Sequence, residues 1–95
     1  MKITVIGGGS SYTPELVEGL IARHASLPMA ELALVDVEAG REKVEIIAAL
    51  SRRMPDRNGL EAVKVSVHFD ADDAIRGSSF VLTLLRGLQK KRKIR

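Results

Sequence analysis

Apolar positions along this chain switch between two spacings, and the switches mark its elements. "KITVI" at residues 2–6 is a short β-branched run and predicts a strand. "GGGSSYTP" follows, and Leu16, Val17, Leu20 and Ile21 then recur at helical spacing, so a helix opens near Thr13-Pro14. Proline suits a first helical turn because its absent N–H would have no intrahelical partner there; Thr13 is the expected cap. "SLPMA" breaks that helix and "ELALVD" predicts a second strand. From Gly40 the pattern is helical again, with Val44, Ile47 and Ala48 on one face. It persists to about Met54, where Pro55 is expected to end the helix and "PDRNG" to form a loop. "VKVSVHF" alternates as a strand does. Asp70 is placed to cap the short helical segment "ADDAIR", with Gly77 to terminate it. "SFVLTLL" is a continuous apolar run, expected to be a strand covered on both faces.

The resulting order is β-α-β-α-β-α-β with short connections. Such alternation requires parallel strands, right-handed crossovers and helices laid over the sheet. The expected fold is therefore α/β, a Rossmann-like half of four parallel strands with flanking helices. Residues 1–85 make one dinucleotide-binding domain and 86–95 a basic tail.

Composition narrows the function. In 95 residues a core is possible but has little margin, since a chain of this size buries roughly 65% of its unfolded surface. Hydrophobic residues make up 45%, too many for a disordered chain, while aromatics make up 3%, too few for base-stacking surfaces. Cysteine is absent, which removes disulfides, thiolate nucleophiles and Cys-containing metal sites. No apolar run approaches the ~20 residues of a membrane span, and no signal-peptide core opens the chain; a cytoplasmic protein is expected. The net charge of +3 is uneven. "RGLQKKRKIR" holds six of the fifteen basic residues and no acid, leaving nine bases against twelve acids elsewhere. A basic end can bind polyanions, but a solvated end explains it as well, and nucleic acid is not the expected partner.

The chemistry sits at the first turn. A strand running through glycines into a helix N-terminus presents backbone N–H groups and a partial positive charge, which together hold phosphate. Gly7 permits the tight turn, Gly9 lets phosphates approach the backbone, and Ser10 and Ser11 add hydroxyls. The G-x-G-x-x-G fingerprint would place a third glycine at position 12, where this chain has Tyr12. That glycine serves helix–strand packing, so the helix must sit farther from the sheet or begin later, and Tyr12 can line the cofactor groove. Asp36, at the end of the second predicted strand, is suited to accept hydrogen bonds from the adenosine ribose and to repel the extra phosphate of NADP, favouring NAD. An ordinary βα turn and a solvated strand end are the plainer alternatives. His24 and His68 lack partner acids at ligand spacing and read as structural. Asp70, Asp72 and Asp73 read as a capped helix start before a metal loop, Met29 and Met54 as packing, and Ser78 and Ser79 have no base beside them.

"KITVIGGGSSYTPELVEGLI" followed by "LPMAELALVDVEAGREKVEII" resembles the N-terminal region of family 4 glycoside hydrolases. The "SSYTPEL" form is most similar to members acting on 6-phospho-β-glucosides. The likeness covers roughly residues 2–86. It implies NAD-dependent hydrolysis by oxidation at C3 of the sugar, elimination, water addition and re-reduction, outside the two-carboxylate glycosidase scheme. It also implies a divalent metal, commonly manganese, and a phosphorylated disaccharide substrate. By the resemblance, Gly7, Gly9, Ser10, Ser11, Tyr12 and Asp36 fall on the cofactor site. Arg86 matches an arginine that contacts the sugar phosphate, although it can equally be the first charge of the tail. Family members continue into a long second half holding the metal ligands and the base, so no catalytic or metal residue is expected in these 95. The sequence therefore reads as a truncated form or isolated domain, inactive alone. A non-catalytic NAD-binding module, or part of another NAD-dependent dehydrogenase, remains an alternative. A half-sheet with an open edge is also expected to form homo-oligomers.

Overall fold

The computed structural model describes residues 1–26, 28–57, 59 and 63–84. Four strands, β1 (Lys2–Ile6), β2 (Glu31–Val35), β3 (Lys64–His68) and β4 (Phe80–Thr83), lie in one parallel sheet in the order β3-β2-β1-β4. Three helices connect them: α1 (Thr13–Ala22), α2 (Arg41–Arg57) and α3 (Ala71–Ile75). A short 3-10 turn, Glu38–Gly40, leads into α2. The expected α/β half-fold of four parallel strands is the one observed.

Strand alternation divides the core. Ile3, Val5, Leu32, Leu34 and Val65 pack with Val17 and Leu20 of α1 and with Val44 and Ala48 of α2. Ala33 and Val35 face the other way, against Ala74 of α3, with Ile6 and Ala71 beside them. So α1 and α2 cover one face and α3 the other. The first face carries the larger side chains, each contributing about 1.5–3 kcal/mol when fully buried. On the second face the polar Thr4 is wholly buried in β1, and its hydroxyl donates to the Ala74 carbonyl at 3.0 Å while also meeting Ser78 Oγ. That bond ties α3 to the centre of the sheet.

Several local expectations hold. Asp70 caps α3, its Oδ1 accepting from the N–H groups of Asp72 (3.0 Å) and Asp73 (3.3 Å). Gly77 follows at φ +80°, the left-handed backbone that suits glycine after a helix. Others are corrected. Thr13 is not the cap of α1 but its first residue; Tyr12 occupies the cap position without a side-chain capping bond. Pro55 does not end α2, which continues to Arg57. A proline has no N–H for the Ser51 carbonyl, but so near the helix end that loss does not stop the last turn. Nor is β4 covered on both faces: Phe80 and Val81 are exposed, because β4 is an outer strand of this sheet. The "PDRNG" loop falls only partly, and the basic tail with Arg86 not at all, within the described residues.

Candidate functional site at the switch of the sheet

The chain leaves β1 toward β2 on one side and returns from β3 to β4 on the other, so the carboxyl ends of β1 and β4 flank the point where strand order reverses. Open α/β sheets bind ligands at that point. Gly7 stands there at φ +84°, and a Cβ on it would collide with the Leu84 carbonyl oxygen that follows β4. Two constraints thus require glycine: the backbone conformation and the approach of β4.

The middle glycine, which sequence spacing passed over, is equally constrained. A Cβ on Gly8 would lie 2.7 Å from Leu34 Cβ and 3.0 Å from Leu34 Cα. Gly8 is where the turn presses against β2. The close approach that a third glycine usually permits is supplied here earlier in the turn, and Tyr12 is left half-exposed at the mouth of α1. Thr13 completes the arrangement: buried, it donates its hydroxyl to the Gly8 carbonyl at 2.8 Å. α1 accordingly begins late, at Thr13, one of the two outcomes expected from the tyrosine.

Asp36 closes the turn from the β2 side. Its Oδ2 accepts the Gly9 N–H at 2.8 Å and its Oδ1 accepts the Val37 N–H at 2.8 Å. A Cβ on Gly9 would stand 2.5 Å from Oδ2, and one on Gly40 3.4 Å from Oδ1. The carboxylate is held between two glycines, a constraint invisible in either motif alone.

Most amides of the turn are used within it. Gly7 and Gly8 both donate to the Val35 carbonyl at 2.8 Å, Ser10 to Gly7, Thr13 to Ser10, and Tyr12 to Ser10 Oγ at 3.2 Å. Ser10 is buried, so its hydroxyl shapes the turn from inside. Among the described residues, Ser11 is exposed and its N–H makes no hydrogen bond; neither does that of Glu15 in the first turn of α1. Of the backbone N–H groups expected to face a phosphate, the open ones therefore lie at Ser11 and the helix start.

Beyond the turn, Arg41 opens α2. Its guanidinium contacts Glu38 through three hydrogen bonds of 2.9–3.1 Å, lies 4.0 Å from Glu45, and stacks over the Phe69 ring at 4.2 Å. The Glu38–Arg41 spacing of three could have flagged the pair; Phe69, from beyond β3, could not have been foreseen. Both histidines have local partners. His24 Nδ1 accepts the Met29 N–H at 3.4 Å. Ser66 donates to Glu31 at 2.7 Å, so its 2.9 Å contact with His68 requires the proton on His68 Nε2. Among the described residues, no group of three or more His, Asp or Glu could hold a metal ion. No described helix is long and apolar enough to cross a membrane.

Sheet order, a left-handed glycine at the switch point and an acid closing β2 define a doubly wound α/β sheet of the nucleotide-binding class. Residues 2–95 match Family 4 glycosyl hydrolase, and the chain belongs to that family. It is 49% identical over 86 residues to the 6-phospho-beta-glucosidase of Escherichia coli (strain K12), an alignment covering 90% of this chain and 19% of that protein. A probable 6-phospho-beta-glucosidase of Bacillus subtilis (strain 168) is 47% identical over 88 residues, with the same coverage. The 6-phospho-beta glucosidase of Thermotoga maritima, solved with manganese, NAD+ and glucose-6-phosphate, superposes with a TM-score of 0.79 at 32% identity, over 90% of this chain and 19% of that one. The chain thus spans about a fifth of the length of the relatives it matches.

Proposed function

We propose that these residues form the NAD-holding part of a 6-phospho-β-glucosidase. The observation that carries this is the joint geometry at the switch point: Gly7 at φ +84°, the open Ser11 N–H at the start of α1, and Asp36 beside Gly9. Identity to 6-phospho-beta-glucosidases and superposition on one solved with NAD+ support it.

The residues fit the coenzyme. Gly9 has no side chain to bar a phosphate, and the Ser11 amide and hydroxyl face outward at the positive end of α1. Tyr12 flanks that end. Gly7, Gly8 and Ser10 hold the turn in shape, and Asp36 meets the ribose with the lone pairs its two backbone bonds leave open. When bound, NAD supplies reversible hydride removal from the sugar; the part played by this chain is to orient it. The described residues do not assemble a manganese site, so no step through a metal is assigned to them. Arg86, outside the described residues, is proposed to meet the sugar phosphate, where a guanidinium can donate two parallel hydrogen bonds. The phosphorylated disaccharide, hydrolysis itself, a cytoplasmic setting and homo-oligomeric assembly belong to the same proposal for the whole enzyme.

Calorimetric titration of the chain with NAD+ tests the binding role. A dissociation constant below about 1 mM, corresponding to about −4 kcal/mol, is expected. Weaker binding, or equal binding after Ser11→Pro, which removes the open amide, would overturn it.

A further inference from the structure

An arginine just past the acid that closes β2 is ordinarily the mark of a site that admits the 2′-phosphate of NADP. Here Arg41 has that place, immediately after Gly40, whose Cβ position is 3.4 Å from Asp36 Oδ1. Yet its guanidinium is held on one edge and one face: Glu38 takes the fork through Nε and Nη2, Phe69 covers one face at 4.2 Å, and Glu45 stands 4.0 Å from Nη1, beyond hydrogen-bond distance. We propose that Glu38 is a specificity-determining residue that excludes NADP by occupying Arg41, a conclusion that rests on the NAD-binding reading above.

The charges agree. Between Asp36 and Glu45 lie four acids, Asp36, Glu38, Glu42 and Glu45, against two bases, Arg41 and Lys43. A phosphate ester arriving beside Asp36 meets net negative charge and an arginine whose Nε/Nη2 edge is already taken by Glu38. The Glu38–Arg41 pair is more than half exposed on both sides, so it adds little to folding stability. Its consequence is discrimination: it leaves Asp36 the dominant charge at the ribose and keeps the neighbouring cation turned away. Glu38 acts through Arg41 and need not touch the coenzyme.

The test is titration of the chain at low ionic strength with NAD+ and with NADP+, for the parent, Glu38→Gln and the double variant Glu38→Gln/Arg41→Gln. Glutamine keeps the size of Glu38 and removes its charge. Glu38→Gln is expected to tighten NADP+ about fivefold, the scale of one exposed ion pair, while NAD+ changes by less than about twofold. The gain is expected to vanish in the double variant. Thermal melts of all three confirm that each is folded before titration. If Glu38→Gln binds NADP+ no better while the parent binds NAD+, the lock is wrong and the NAD site stands. A gain that survives in the double variant also overturns it, since Arg41 would not be the group released. Should the parent bind neither dinucleotide, the site assignment falls, and this inference with it.

Discussion

Replacing Asp36 with alanine removes two acceptors at once, and the structure sets the cost. The Gly9 N–H lies in a buried residue and loses its 2.8 Å bond to Oδ2; the Val37 N–H belongs to an exposed residue, where water replaces Oδ1. An unsatisfied buried donor costs about 1–3 kcal/mol, and the exposed bond adds a few tenths. The expected total is about 2 kcal/mol, or a fall in Tm of roughly 8–16 °C for a domain of this size. The milder substitution Asp36→Asn retains one carbonyl oxygen and can keep one of the two bonds without its charge assistance, so a loss of about 1 kcal/mol is expected. Urea unfolding followed by far-UV circular dichroism measures both, and the order alanine below asparagine below parent is itself diagnostic. A melting temperature for Asp36→Ala within about 2 °C of the parent would refute the claim that this carboxylate holds the turn. The residue would then be free to serve a ligand alone.

Other outcomes follow from the same packing. Thr4→Val keeps the shape of a fully buried side chain and removes its bond to the Ala74 carbonyl; a loss of about 1 kcal/mol, with faster amide exchange in α3, is expected by denaturation and hydrogen exchange. Ser51 Oγ is buried in α2 with no hydrogen-bond partner among the described residues, so Ser51→Ala is expected to raise stability by about 1 kcal/mol; a destabilised variant in the same melts would mean the hydroxyl has a partner after all. The exposed outer strand β4 is expected to pair chains, giving light-scattering masses at multiples of 10.3 kDa that Val81→Lys returns toward the single-chain value. A parent that stays at the single-chain mass at high concentration would contradict this.

What could be read from sequence was local. Strand and helix positions follow from apolar spacing, and Asp70 with Gly77 declares a helix start and stop because both devices act within a few residues. The site was legible as far as its motif: Gly7, Gly9 and Asp36 stand together because a parallel β-α-β unit brings the ends of β1 and β2 side by side. Facts that depend on a second element were not legible. The reason for Gly8 is Leu34, on another strand; the bond of Thr13 reaches back over the turn to a carbonyl; Phe69 meets Arg41 across two connections. The apolar run at β4 suggested burial on both sides, but burial depends on neighbours that a run of residues does not name. Pro55 misled because a proline's effect varies with its distance from the helix end.

The displacement of the tight contact from position 12 to Gly8 has one practical result. It leaves Tyr12 at the rim of α1, and the chain has no other tyrosine and no tryptophan. Tyrosine emission from this protein therefore comes from a single ring beside the proposed phosphate-binding amide. The molecule carries its own optical reporter, and quenching of that signal on titration with NAD+ is expected to follow occupancy of the turn without any label.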